Sequence, residues 1–217
     1  AHERCLTRMR SVEARASLER RQKGDSRFAS VRLVEPTITF DERLRIEGGD
    51  LTIECFLTPG HTEDHIALWV PELRLIFAGD AAEHPFPHVN DGETLPVLLH
   101  SLAALAALDP ATVLPCHGGT SSPDLLARNL AYFATVEWLT RAALASGRVP
   151  REAAGWTEPI NHSDIEQLPE LIGLLYEDAL RQCGADVAST PGFYRSFHQA
   201  AIKATIDYVL HHAERQV

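Results

Sequence analysis

Sulfur is scarce in this chain, and long apolar runs are missing. Its 217 residues include four cysteines and one methionine. Cys5, Cys55, Cys116 and Cys183 show no paired spacing and no C-x-x-C, so reduced thiols in a cytoplasmic protein are expected. No apolar run approaches the roughly 20 residues of a membrane span, and no secretory signal opens the sequence, so no membrane partner is expected. Positive charge is also in deficit. Lys and Arg number 20 against 30 Asp and Glu, a net charge of −10, which argues against a broad nucleic-acid surface. The deficit is uneven. Basic residues outnumber acids over residues 1–32, where Arg4, Arg8, Arg10, Arg15, Arg20 and Arg21 read as a solvated helix face. No internal repeat or low-complexity tract is present.

What remains is ordinary globular composition, with 45% hydrophobic and 23% charged residues and enough length to bury a core. Leu6, Met9 and Val12 recur at helical spacing, which predicts a helix over 2–22 ended by Gly24-Asp25-Ser26. The period then falls to two. Val31, Leu33, Ile38 and Phe40 alternate with polar residues and read as half-buried strand, interrupted by Pro36. Leu44 and Ile46 face Leu51 and Ile53 across Gly48-Gly49-Asp50, a hairpin signal. A strand at 51–57 leads to Pro59-Gly60, and runs at 66–70 and 73–78 form a second hairpin turned at Pro71-Glu72. Residues 81–96, with Pro85, Pro87, Asn90-Asp91-Gly92 and Pro96, read as loop. A helix is expected over 98–108 and a short buried strand over 112–114. Beyond Ser121 the pattern is helical, at 123–146, 163–183 and 192–213, with a capping box at Ser163-Asp164-Ile165-Glu166 and a connection from Gly147 to Pro159. The chain thus divides into 1–121, mixed α+β, and 122–217, helical.

Three motifs place metal-capable side chains just past strand ends: His61 in Thr58-Pro59-Gly60-His61-Thr62-Glu63-Asp64-His65, Asp80 in Phe77-Ala78-Gly79-Asp80, and His117 in Leu114-Pro115-Cys116-His117-Gly118-Gly119. Imidazole suits zinc and iron, and a carboxylate can bridge two cations. Each residue also has an ordinary reading. A lone loop histidine is more often solvated, and an aspartate after a strand and a glycine is usually a turn former. Cys116 is a rival ligand, because thiolate is a good zinc donor. His61 and His65 form H-x-x-x-H, but Pro59-Gly60 before and the strand-like run after exclude the helix that would set both on one face. His65 is expected to be buried and hydrogen-bonded. Asp64, Glu83, His84 and His88 lie on the adjacent loops as candidates for supporting or substrate roles.

The order and contexts of these motifs resemble the metallo-β-lactamase superfamily of hydrolases, over roughly residues 30–120. The resemblance implies an αββα sandwich with metals at one edge of two packed sheets. It implies that His61 ligates a first metal, Asp80 bridges both and takes part in catalysis, and His117 ligates the second, with His65 a structural support. The implied cofactor is zinc, two ions in a complete domain, with iron or manganese as further candidates. Asp64 stands where relatives of the hydroxyacylglutathione hydrolase type often carry glycine. The family's H-x-H-x-D-H signature is missing from this sequence. His84-Pro85-Phe86-Pro87-His88 does not fit its spacing. The expectation is therefore the distal part of a partial sandwich, with 122–217 as a helical extension. The implied activity is attack of a metal-bound hydroxide on an ester, thioester, lactone or similar bond of a small-molecule substrate. A mononuclear-iron oxidoreductase on the same fold, and a non-catalytic remnant that binds a partner, are the alternatives. Expected partners are a second copy of the chain or the missing upstream segment, because losing one sheet would bare the apolar faces of 51–57 and 66–78.

Overall fold

The computed structural model describes residues 1–149 and 162–213, without the side chains of 162–165 and 212–213. Five strands form one sheet in the order β1 (Arg43–Gly48), β2 (Leu51–Leu57), β3 (Ile66–Val70), β4 (Leu75–Gly79) and β5 (Thr112–Pro115). The first four are antiparallel neighbours; the two hairpins that the turn residues announce join β1 to β2 and β3 to β4, and the loop over 58–65 joins β2 to β3. Gly48 pairs with Leu51, leaving Gly49-Asp50 as a two-residue turn. The strand β5 runs parallel to β4 and is reached through the helix Thr94–Ala107, because parallel neighbours need a crossover.

The helices, in chain order, are α1 (Glu3–Met9), α2 (Val12–Gly24), α3 (Thr94–Ala107), α4 (Asp124–Ala145), α5 (His162–Ile172), α6 (Tyr176–Gln182) and α7 (Tyr194–Ala213). Three differ from the sequence expectation. The helix expected at 2–22 is two helices, because Ser11 turns extended and its hydroxyl accepts the Ala14 N–H, starting α2 afresh. The helix α3 starts earlier than expected. Asp91 Oδ1 accepts the N–H groups of Glu93 and Thr94, and Pro96 sits in the first turn, where its missing donor costs nothing. The helix expected at 163–183 breaks at Gly173. There the Gly173 and Leu174 N–H groups both close on the Pro169 carbonyl and release the chain toward α6. The capping-box side chains of Ser163, Asp164 and Ile165, and most of the 147–159 connection, lie outside the described residues.

The strand expected over 31–40 does not form. Pro36 denies it a donor, and the segment lies along the N-terminal helices instead. Gln22 donates to the Val31 carbonyl, Arg10 makes a bidentate pair with Glu35, and Phe40 bridges His2. Val34 and Ile38 remain exposed. An open cleft of about 560 Å³ remains between this segment and α2, with Met9, Leu18, Phe28 and Leu33 on its walls.

The core lies on one face of the sheet. Ala67, Trp69, Ile76, Ala78 and Val113 point to Leu98, Leu102 and Leu105 of α3 and to Leu125, Leu126 and Phe133 of α4. The cluster continues into α5, α6 and α7 through Leu168, Leu180, Tyr194 and Ile202. The side-chain period of two sends Leu44, Ile46, Ile53, Leu57, Leu68 and Phe77 to the opposite face. None of these six belongs to the core, and Ile46 and Phe77 are 47% and 43% exposed. The described residues therefore form half of a sandwich, one sheet with its helical layer. Contiguous apolar surface of this kind binds hydrophobic probes. Native protein is expected to enhance the fluorescence of 8-anilinonaphthalene-1-sulfonate, and Ile46→Lys with Phe77→Lys to reduce that enhancement by about half or more while the melting temperature holds.

Candidate metal centre

Three loops at the same sheet edge carry the candidate ligands. The first leaves β2 at Thr58. It is pinned at two points, where Ser101 Oγ of α3 donates to the Pro59 carbonyl at 2.7 Å and Asn90 Nδ2 donates to the His61 carbonyl at 3.1 Å. Gly60 has φ +136°, and a Cβ there would lie 2.5 Å from the Leu98 Cα, so only glycine lets this loop rest on α3.

His65 ties the first loop to the second. Its Nε2 accepts the Asp80 N–H at 3.0 Å, so its proton sits on Nδ1, which faces the Thr58 hydroxyl at 2.8 Å and the Thr58 carbonyl at 3.1 Å. Burial holds this imidazole below its usual range, so the ring is neutral at pH 7. The contact needs Gly79, whose φ is +56° and whose Cβ would stand 2.6 Å from His65 Nε2. The third loop joins at the same peptide, where the Cys116 N–H donates to the Gly79 carbonyl at 3.0 Å.

These ties bring His61, Asp80 and His117 together. His61 Nε2 is 3.9 Å from Asp80 Oδ2, and His117 Nε2 is 3.5 Å from Asp80 Oδ1. One carboxylate thus offers a separate oxygen to each imidazole. Both separations exceed hydrogen-bond length. Two donors on one tetrahedral zinc, each roughly 2.0–2.2 Å from the ion, lie roughly 3.3–3.6 Å apart, close to what is seen at His117. Asp80 Oδ1 and His61 Nδ1 are buried atoms with no hydrogen-bond partner, and a cation between Asp80 and His117 would satisfy the first of them. The residues present fit a metal.

The other candidates spread outward from this point. His88 lies with its ring 6.1 Å from that of His61 and 4.7 Å from that of Phe197 in α7. The His84 N–H donates to the His117 carbonyl at 3.3 Å, while its ring is only partly buried. Asp64 pairs with Arg8 of α1 at 3.1 Å, with Cys5 beside it. Glu83 is buried behind the centre. Tyr194 Oη of α7 donates to its Oε2 at 2.8 Å, and Asn129 of α4 bonds its backbone N–H and carbonyl and the Pro85 carbonyl. Burial raises the Glu83 carboxyl to about 7, the Asp80 charge adds to the rise, and the Tyr194 bond opposes it. Tyr194 and Asn129 did not emerge from the sequence. The one visible signal was an amide among Leu125, Leu126 and Phe133 on the apolar side of a helix.

Similarity to known proteins bears on family and fold. Residues 2–117 match the family described as the metallo-beta-lactamase superfamily. The chain is 32% identical over 82 residues to a beta-lactamase-like protein 2 homolog of Caenorhabditis elegans, a match covering 36% of this chain and 26% of that protein. The fold is similar to that of a metallo-beta-lactamase family protein from Thermus thermophilus, at a TM-score of 0.53 and 16% identity, over 95% of this chain and 61% of the other. A beta-lactamase domain protein from Burkholderia ambifaria aligns at a TM-score of 0.53 and 16% identity, over 87% of this chain and 51% of its own. The chain therefore spans about a quarter of the curated relative and half to three fifths of these two structures.

Two outcomes are expected. Gly79→Ala should lower stability by about 1–3 kcal/mol, read from the urea midpoint, because a Cβ drives His65 off the Asp80 amide. Glu83 has a folded-state value raised above the unfolded one, from 4.5 to about 7. Its contribution to stability is full below the unfolded value and is lost as pH rises through the folded one. Glu83→Gln, which keeps an acceptor for Tyr194, should therefore flatten the fall in urea midpoint between pH 5 and pH 8. A wild-type slope retained in the variant would assign that fall to other groups. By the residues matched, the chain belongs to the metallo-β-lactamase superfamily.

Proposed function

We propose that this chain carries the His61, Asp80 and His117 portion of a metal-dependent hydrolase site, acting on an ester, thioester, lactone or related bond of a small molecule. The observation that carries this reading is the pair of imidazoles addressing opposite oxygens of one carboxylate. A divalent cation bound there supplies a Lewis acid for the scissile carbonyl and brings the ionisation of water toward neutral pH. His61 would hold one cation and His117 a second, each through a neutral imidazole nitrogen. Asp80 supplies negative charge between them and fixes their spacing, and its main chain is held by His65. Zinc suits this nitrogen and oxygen donor set. Glu83, enclosed near the centre, accepts a hydrogen bond from Tyr194, and its loop also carries His84 and His88.

Two imidazoles and one carboxylate are fewer donors than a two-metal centre needs. We read the remainder as coming from polypeptide that also covers the apolar sheet face. Support for this is the absence of Ile46 and Phe77 from the core. The test is metal analysis of intact protein alongside hydrolysis of an ester, thioester and lactone panel. Zinc should survive desalting, and Asp80→Asn should lose both the metal and about 100-fold or more of the activity. Hydrolysis that continues after complete chelation, or one iron and no zinc in the active protein, would reject the reading.

A further inference from the structure

Cys116 stands out among the four thiols. Cys55 and Cys183 are buried, and Cys5 lies beside Asp64. Cys116 alone is exposed beside an imidazole and a carboxylate. Ligand atoms of Asp80, Cys116 and His117 all lie within 4.8 Å of one another, and this is the one such group of donors found among the described residues. The position is fixed by backbone, since the Cys116 N–H is held by the Gly79 carbonyl at 3.0 Å, one residue before Asp80. Asp80 Oδ1, facing His117, is buried without a hydrogen-bond partner.

We infer that Cys116 is a third ligand to the cation held by Asp80 and His117, through its thiolate sulfur. This rests on the hydrolase reading only in requiring a metal at that carboxylate, and the family resemblance assigns no role to the residue. On binding, the thiol proton passes to solvent and a sulfur lone pair forms the bond to the cation, with no change of oxidation state. The donor set becomes sulfur, nitrogen and oxygen. Such a set selects a borderline-soft divalent cation, zinc or cobalt, over magnesium or manganese. It also makes the two cation positions unequal, since His61 on the other oxygen of Asp80 has no thiol neighbour in this group.

Cobalt(II) reports sulfur ligation directly. The intact protein is titrated with cobalt(II) under anaerobic reducing conditions. The expected result is visible ligand-field bands together with a near-ultraviolet sulfur-to-cobalt charge-transfer band. In Cys116→Ser the visible bands should persist, the near-ultraviolet band should vanish, and affinity should fall about tenfold or more. In the wild-type protein, zinc should slow alkylation of Cys116 by iodoacetamide, read by peptide mass spectrometry, whereas magnesium should not. Ligand-field bands without the charge-transfer band, a band that survives in Cys116→Ser, or alkylation unaffected by zinc would each overturn sulfur ligation and leave the hydrolase reading standing. Absence of any cobalt bands in the wild-type protein would overturn both.

Discussion

The close approach of His65 to the Gly79–Asp80 peptide is the constraint on which the centre depends. One neutral ring accepts the Asp80 N–H and donates to Thr58, so it joins the loop carrying His61 to the loop carrying Asp80. The same peptide accepts from Cys116 and thereby brings in the loop carrying His117. Each bond is worth only about 1 kcal/mol net. Their value lies in position, because three chain segments meet at one peptide that has no room for a β-carbon. Metal ligands are commonly oriented by partners of this kind.

The helical residues beyond Ser121 take part in this support. Asn129 satisfies three backbone groups of the 83–85 segment, and Tyr194 satisfies the Glu83 carboxyl. Phe86 inserts between them, stacked on Tyr132 with ring centroids 4.2 Å apart and edge-on to Tyr194. Tyr132 in turn donates to His198 Nδ1, whose Nε2–H donates to the Leu174 carbonyl. A buried polar network of this kind must be satisfied throughout or it destabilises what it supports. Here it seats the loop between Asp80 and α3 on helices far away in sequence.

That separation explains what the sequence could and could not convey. Both hairpins, the short strand at 112–114 and the three candidate ligand positions depend on local signals: turn residues, short apolar runs and a histidine or aspartate just past a strand end. The segment at 31–40 carries the same alternation and is no strand. Alternation states which side chains share a face, but pairing needs a neighbour, and Pro36 removes a donor where one is required. Ser11 and Gly173 were weak punctuation inside otherwise helical stretches, and their capping hydrogen bonds decided the breaks. Tyr194 and Asn129 had no local signature, since their partners lie in a loop separated from them by whole helices.

The parallel pairing of β4 with β5 governs when the centre can exist. Asp80 and His117 stand at the ends of adjacent strands that are joined only through α3, so they meet after that long excursion has closed. Closing it is a non-local event that carries the entropic cost of a long loop. With β5 unpaired, Asp80 and His117 would not be neighbours. A metal bound at these residues would in this way require the helix layer to be in place, and loading would report on completed assembly.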